Sequence, residues 1–134
     1  MSEFGELAAF VGARAQNRCE YCRMHQSLQG ATFHVEHIVP RCKGGTSELG
    51  NLAWCCPSCN LHKADRTEVS DPILSKVALF NPRKDDWETH FRWDGYQLLG
   101  RTPVGSATVA ALQLNHARRL RIRQAEELFS LFPP

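Results

Sequence analysis

Two Cys-x-x-Cys pairs, Cys19/Cys22 and Cys56/Cys59, constrain this chain more than any other feature of its 134 residues. Zinc takes four soft ligands in a tetrahedron, and each pair offers two thiolates from one tight turn. The 33 residues between the pairs exceed the spacing of a simple zinc ribbon and leave room for a folded insert. The spacing predicts a structural Zn2+ that ties the end of one element to the start of another. Reduced buried cysteines are the alternative reading, and disulfides a lesser one. Cys42 reads as a loop thiol and Cys55 as an inward strand residue; neither receives a role.

The bulk numbers restrict the class without naming it. The length fits one domain spanning 1–134, and 43% hydrophobic with 22% charged residues is ordinary for a globular protein. No run approaches the ~20 apolar residues of a membrane span. Residues 1–10 lack a basic, apolar-cored secretory signal, so the expected location is cytoplasmic, where stable disulfides are rare. A net charge of +2 does not announce nucleic acid. The basic residues are nevertheless clustered. Arg118, Arg119, Arg121 and Arg123 stand close together, and Arg41 and Lys43 precede Gly44-Gly45. Such clusters track phosphates, although a solvated helix face reads the same way.

Periodicity predicts a helix over 3–17, with Phe4, Leu7, Ala8, Val11 and Ala15 on one face and Arg14 and Arg18 near its C-terminal end. Residues 31–36 alternate like a short strand ending at Glu36-His37, and Pro40 with Gly44-Gly45 opens a loop. Leu52 to Cys55 reads as a second strand. Pro57 suits the first turn of a helix over 57–65. Further on, Val77 to Phe80 is a short apolar run stopped by Asn81-Pro82, and Asp94-Gly95 signals a hairpin. Residues 106–131 read as one long helix, burying Val109, Leu112, Leu120, Leu128 and Phe129. The class is α+β: strand, loop, strand, helix between the cysteine pairs, flanked by an N-terminal helix and a C-terminal hairpin plus helix.

Between and beside the knuckles stand Val35-Glu-His-Ile-Val-Pro-Arg41, Gly44-Gly45, Asn51-Leu52 and Cys56-Pro-Ser-Cys-Asn-Leu-His-Lys63. In order and spacing this text resembles the HNH nucleases, the ββα-metal family. Leu79-Phe-Asn-Pro-Arg83, Trp87, His90-Phe91 and the Thr108–Asn115 stretch resemble the C-terminal part of free-standing bacterial members. The resemblance covers nearly the whole chain, although only residues 19–63 carry chemistry.

The resemblance implies a metal-dependent endonuclease that hydrolyses DNA phosphodiester bonds. His37 takes the role of general base, for which a near-neutral imidazole is suited. Glu36 and Asn60 take the role of ligands to a divalent cation. A carboxylate and an amide carbonyl are hard oxygen donors, which suits Mg2+ or Mn2+. Asn51 matches the middle position, holding the loop and orienting His37. The chain departs from the family name in having Asn60 in place of the last His, and Glu36-His37 where Asp-His is common. Adjacent Cys59 and Asn60 diverge by about 100° on a helix, so one can face zinc and the other a second site.

Backbone contact to double-stranded DNA is expected from Arg41, Lys63, Arg118, Arg119, Arg121 and Arg123, with little reading of bases. His34 lines the cleft or sits at an edge. Trp87, Phe91 and Trp93 read as core. One such site cuts one strand, so a double-strand break needs a homodimer, a partner protein or successive nicks. The competing reading is a zinc-stabilised nucleic-acid-binding module without catalysis, which needs neither Glu36-His37 nor Asn60.

Overall fold

The computed structural model describes residues 3–134, with side chains from residue 5 onward. Helix α1 (Glu3–Arg14) turns Val11 fully into the core, with Leu7, Ala8 and Ala15 packed beside it. Phe4, expected on the same face, lies outside the described side chains. The helix ends earlier than its periodicity suggests, because Gln16 and Asn17 adopt left-handed φ values of 57° and 60°. Arg14 donates to the backbone oxygens of Leu49 and Leu52, at 3.1 and 2.7 Å, and so binds the helix to the insert.

The insert is the expected strand, loop, strand, helix. Strands β1 (His34–His37) and β2 (Leu52–Cys55) pair antiparallel, with His34 opposite Cys55 and His37 opposite Leu52. Helix α2 (Pro57–Lys63) follows at once, with proline in its first turn. The Cys56 sulfur caps it, accepting from Cys59 N at 3.3 Å. All of β2 is buried, Cys55 included, while Cys42 is exposed.

The second half adds two further hairpins. Strands β3 (Glu68–Asp71) and β4 (Ser75–Ala78) pair antiparallel, a hairpin that the sequence reading does not contain. Its turn is made by Asp71, whose carboxylate accepts from Ile73 N and Leu74 N at 2.9 and 2.6 Å. A short helix α3 (Trp87–His90) leads into β5 (Phe91–Asp94) and β6 (Gln97–Gly100). Asp94 lies opposite Gln97, so the turn is Gly95-Tyr96, one residue later than expected, with Gly95 at φ +60°. Phe91 is core as expected, with Trp87 tilted against it and Trp93 tilted against Trp87.

The single long helix expected over 106–131 is two helices, α4 (Pro103–Ala111) and α5 (Ala117–Leu128). The break comes at Gln113, which takes φ 50°. Asn115 holds it there, its amide bonded to both backbone groups of Leu98 at 2.8 Å. Leu112 is buried as expected, whereas Leu128 and Phe129 are exposed. The buried stripe of α5 is instead Arg119, Arg123 and Glu126, at helical spacing. One apolar cluster spans these parts, joining Val11, Tyr21, Phe33, Trp54, Phe91 and Leu112. Among the described residues no helix is long and apolar enough to cross a membrane.

Candidate active site

The four cysteines converge. The sulfurs of Cys19, Cys22, Cys56 and Cys59 lie within 4.8 Å of one another and are buried. The Cys22–Cys56 sulfur separation is 3.9 Å. A zinc–sulfur bond of about 2.3 Å gives a tetrahedron with edges of about 3.8 Å, so the cluster has the size and chemistry of a zinc centre. Burial and hydrogen bonding to Cys19 push the Cys59 thiol up. Burial acts the same way on Cys19, yet contacts with Cys55, Cys56 and Cys59 bring it down overall. Thiolates gathered in an apolar core call for a cation.

The first knuckle also delivers Tyr21, which the sequence reading passes over. Its hydroxyl donates to Glu36 Oε2 at 2.6 Å. Glu36 Oε1 sits 2.6 Å from Lys63 Nζ, and the two side chains are only 5% and 2% exposed. Lys63 also donates to the Ile38 carbonyl at 2.9 Å. Burial raises the Glu36 carboxyl above its ordinary value, with Lys63 and Tyr21 opposing. The expectation that Lys63 offers its charge to a DNA phosphate is therefore corrected: its ammonium is inside the protein, spent on Glu36.

His37, the next residue on β1, faces the other way and is half-buried at the rim. Its Nε2 lies 2.9 Å from Ser47 Oγ and accepts from Arg41 Nε at 3.3 Å. Arg41 also donates to Ser47 Oγ at 3.1 Å, closing a three-residue cluster. Partial burial, then the Arg41 charge, hold the imidazole below its ordinary pKa. Its basic nitrogen is thus unprotonated near neutral pH. Ser47 carries no sequence signal beyond its place in the loop.

The loop from Val39 to Asn51 is held by Asn51 itself. Its Oδ1 accepts from Val39 N at 2.9 Å, and its Nδ2 donates to the carbonyls of Val39 and Thr46 at 2.9 and 2.7 Å. Gly45 makes that closure possible: a Cβ there would lie 1.7 Å from the Val39 oxygen. No hydrogen bond joins the Asn51 side chain to His37; it fixes the loop that brings Ser47 to it. Asn60 is exposed on α2 while its neighbour Cys59 is buried, the divergence expected of adjacent helical residues. No hydrogen bond joins Asn60 to Glu36 or His37. His34 is exposed.

The basic C-terminal run divides. Arg118 and Arg121 are exposed on α5. Arg119 and Arg123 are buried, a correction to their expected contact with DNA phosphates. Arg123 donates to the carbonyls of Leu114 and Tyr96 at 2.6 and 2.8 Å, and Arg119 to the Leu112 carbonyl at 2.9 Å. Both Nη groups of each are bonded inside the protein.

This strand pair, loop and short helix on a four-cysteine frame coincide with a family match: residues 19–66 match the HNH endonuclease family. A particular relative extends the likeness: the chain is 29% identical over 108 residues to "Septu protein PtuB" of Bacillus thuringiensis. That alignment takes in 79% of this chain and 40% of the relative, so the chain spans well under half the relative's length. No solved structure matches significantly.

Proposed function

We propose that this chain is a metal-dependent endonuclease that hydrolyses phosphodiester bonds in double-stranded DNA. The observation that carries the reading is the His37 cluster. An imidazole held neutral at the rim, with a hydroxyl and a guanidinium on its basic nitrogen, suits removal of a proton from water beside a phosphate. Arg41 is exposed and free to shift toward a phosphate, which would release Nε2 for that proton. Arg118 and Arg121 offer further backbone contacts.

Glu36 and Asn60 are the proposed ligands for Mg2+ or Mn2+, which would supply charge stabilisation at the phosphate and the departing oxygen. The donor atoms fit a hard cation. Glu36 Oε1 is buried with no aligned hydrogen bond, and the Lys63 ammonium beside it stands in for a cation. For Glu36 to serve as a ligand, Lys63 has to leave that oxygen. The four buried thiolates would hold Zn2+ as a brace, keeping β2 and α2 in line with the first knuckle. Whether the chain acts as a homodimer, or with a partner protein, decides between nicks and double-strand breaks.

The Lys63–Glu36 pair also favours a second reading, a zinc-stabilised DNA-binding module in which that carboxylate is structural. Supercoiled-plasmid nicking separates the two. A nuclease nicks with Mg2+ or Mn2+, stops with EDTA, and loses activity in His37→Ala while the variant stays folded and zinc-loaded. Cutting by His37→Ala at the wild-type rate would refute the mechanism. DNA retention with no nicking under any of these metals would favour the binding module.

A further inference from the structure

Arg119 is the one guanidinium among the described residues that reaches the cysteine cluster. It lies on α5, 60 residues beyond the cysteine that it touches. Its Nη1 donates to Cys59 Sγ at 3.4 Å, while Nη2 donates to Leu112 O at 2.9 Å and to Ser58 Oγ at 3.1 Å. The residue is 4% exposed. Four thiolates around a divalent cation leave a net charge of about −2 in the interior, and such a charge needs compensation there. Hydrogen bonds to a ligating sulfur also draw off its electron density and fix the direction of its lone pairs. The Leu112 and Ser58 contacts hold the fork of the guanidinium so that one arm remains on the sulfur.

We propose that Arg119 is a positioning residue for the zinc centre: from outside the HNH-matched segment, it neutralises the thiolate cluster and orients the Cys59 sulfur toward the metal. An arginine guanidinium keeps its charge even in the interior, so Arg119 stands beside the sulfurs as a cation. Arg123 is the internal comparison. It lies one turn further along α5 and is equally buried, but it donates to backbone carbonyls and to Asn115 rather than to a sulfur. Loss of Arg123 should weaken the seating of α5; loss of Arg119 should also loosen the metal.

The proposal rests on the reading of the four cysteines as a zinc centre. The test uses the full chain, purified with zinc, as wild type and as Arg119→Met, Arg119→Lys and Arg123→Met. Zinc per chain is measured first by elemental analysis; less than one ion in folded wild type would overturn the zinc reading itself. Zinc release to a chromogenic chelator is then followed. Arg119→Met should hold zinc about 10- to 100-fold more weakly, the range found when partners of metal ligands are removed, and so release it measurably faster than wild type. Arg119→Lys keeps the charge without the fork and should fall between. Replacement of zinc by Co2+ gives a signature that seating alone would not move. The thiolate-to-cobalt charge-transfer band should shift to longer wavelength in Arg119→Met and stay in place in Arg123→Met. If wild type carries one zinc, equal release rates in wild type and both Arg119 variants would overturn the proposal. So would a Co2+ band unmoved in Arg119→Met, or an Arg123→Met release rate as fast as that of Arg119→Met. Should Arg119→Met fail to fold, Arg119→Lys decides by the same release rate and band position.

Discussion

Replacing Lys63 by methionine removes the ammonium from Glu36 and leaves the carboxylate buried against an apolar side chain. With exposures of 5% and 2%, this pair belongs with buried ion pairs. Exposed pairs contribute up to about 1 kcal/mol, whereas removing one partner of a buried pair costs about 3–5 kcal/mol. Methionine keeps most of the stem's volume, so a cavity adds little. For 134 residues, an unfolding entropy of about 2.1 cal/mol/K per residue converts that range into a Tm loss of roughly 10–18 °C. The pH dependence follows from burial, which already raises Glu36 and which Lys63 opposes. Without Lys63 the folded-state pKa rises further above the unfolded value, so the folded state takes up the proton first. The deficit should be greatest at the alkaline end and shrink as the pH falls through the folded pKa toward the unfolded one. Adding Glu36→Gln to Lys63→Met removes the stranded charge, leaves an acceptor for Tyr21, and should restore most of the lost stability. Thermal melts of wild type, both single variants and the double variant from pH 5 to 8 measure all of this. A deficit below about 1 kcal/mol that ignores pH, with purely additive single variants, would refute the burial argument.

Two further outcomes are expected. Partial burial, then Arg41, depresses the His37 pKa, so the active neutral form is lost only as the pH falls below that value. Arg41→Gln removes the charge contribution, and the acid limb of the kcat/KM profile for plasmid nicking should move to higher pH; an unmoved limb would mean that Arg41 does not set the base. Gly45→Ala forces a Cβ against the Val39 carbonyl and should cost about 1–3 kcal/mol or more, while Gly50→Ala, with open space around it, should change little; chemical denaturation compares the two.

Much of the site was legible because its parts are local. The Pro57 start of α2, the two short strands and the cysteine knuckles are each written within a few residues. Their convergence follows from the order in which they occur. What could not be read is tertiary. Periodicity marks apolar residues, so it assigned Leu128 and Phe129 to the interior and Arg119 and Arg123 to solvent, the reverse of the outcome. A buried arginine differs from an exposed one only by its acceptors, and here those include the carbonyls of Leu112, Leu114 and Tyr96 and the Cys59 sulfur, set by folds of the chain elsewhere. The β3–β4 hairpin escaped because Val77 is its one buried residue, too little to produce an alternating pattern. Lys63 looked like a surface cation for the same reason that Glu36 looked like an open ligand: nothing in either residue's neighbourhood in sequence announces the other.

Helix α5 is fastened by guanidinium groups, and this has a consequence for how the chain tolerates length changes. A helix seated by interlocking aliphatic side chains can slip or roll and still find new apolar company. One pinned at Arg119 and Arg123 to individual carbonyl oxygens has no second seat, because a roll of about 100°, the effect of one inserted residue, would strand both cations. The five residues from Leu112 to His116 therefore act as a measured spacer whose length, more than its composition, is expected to resist alteration.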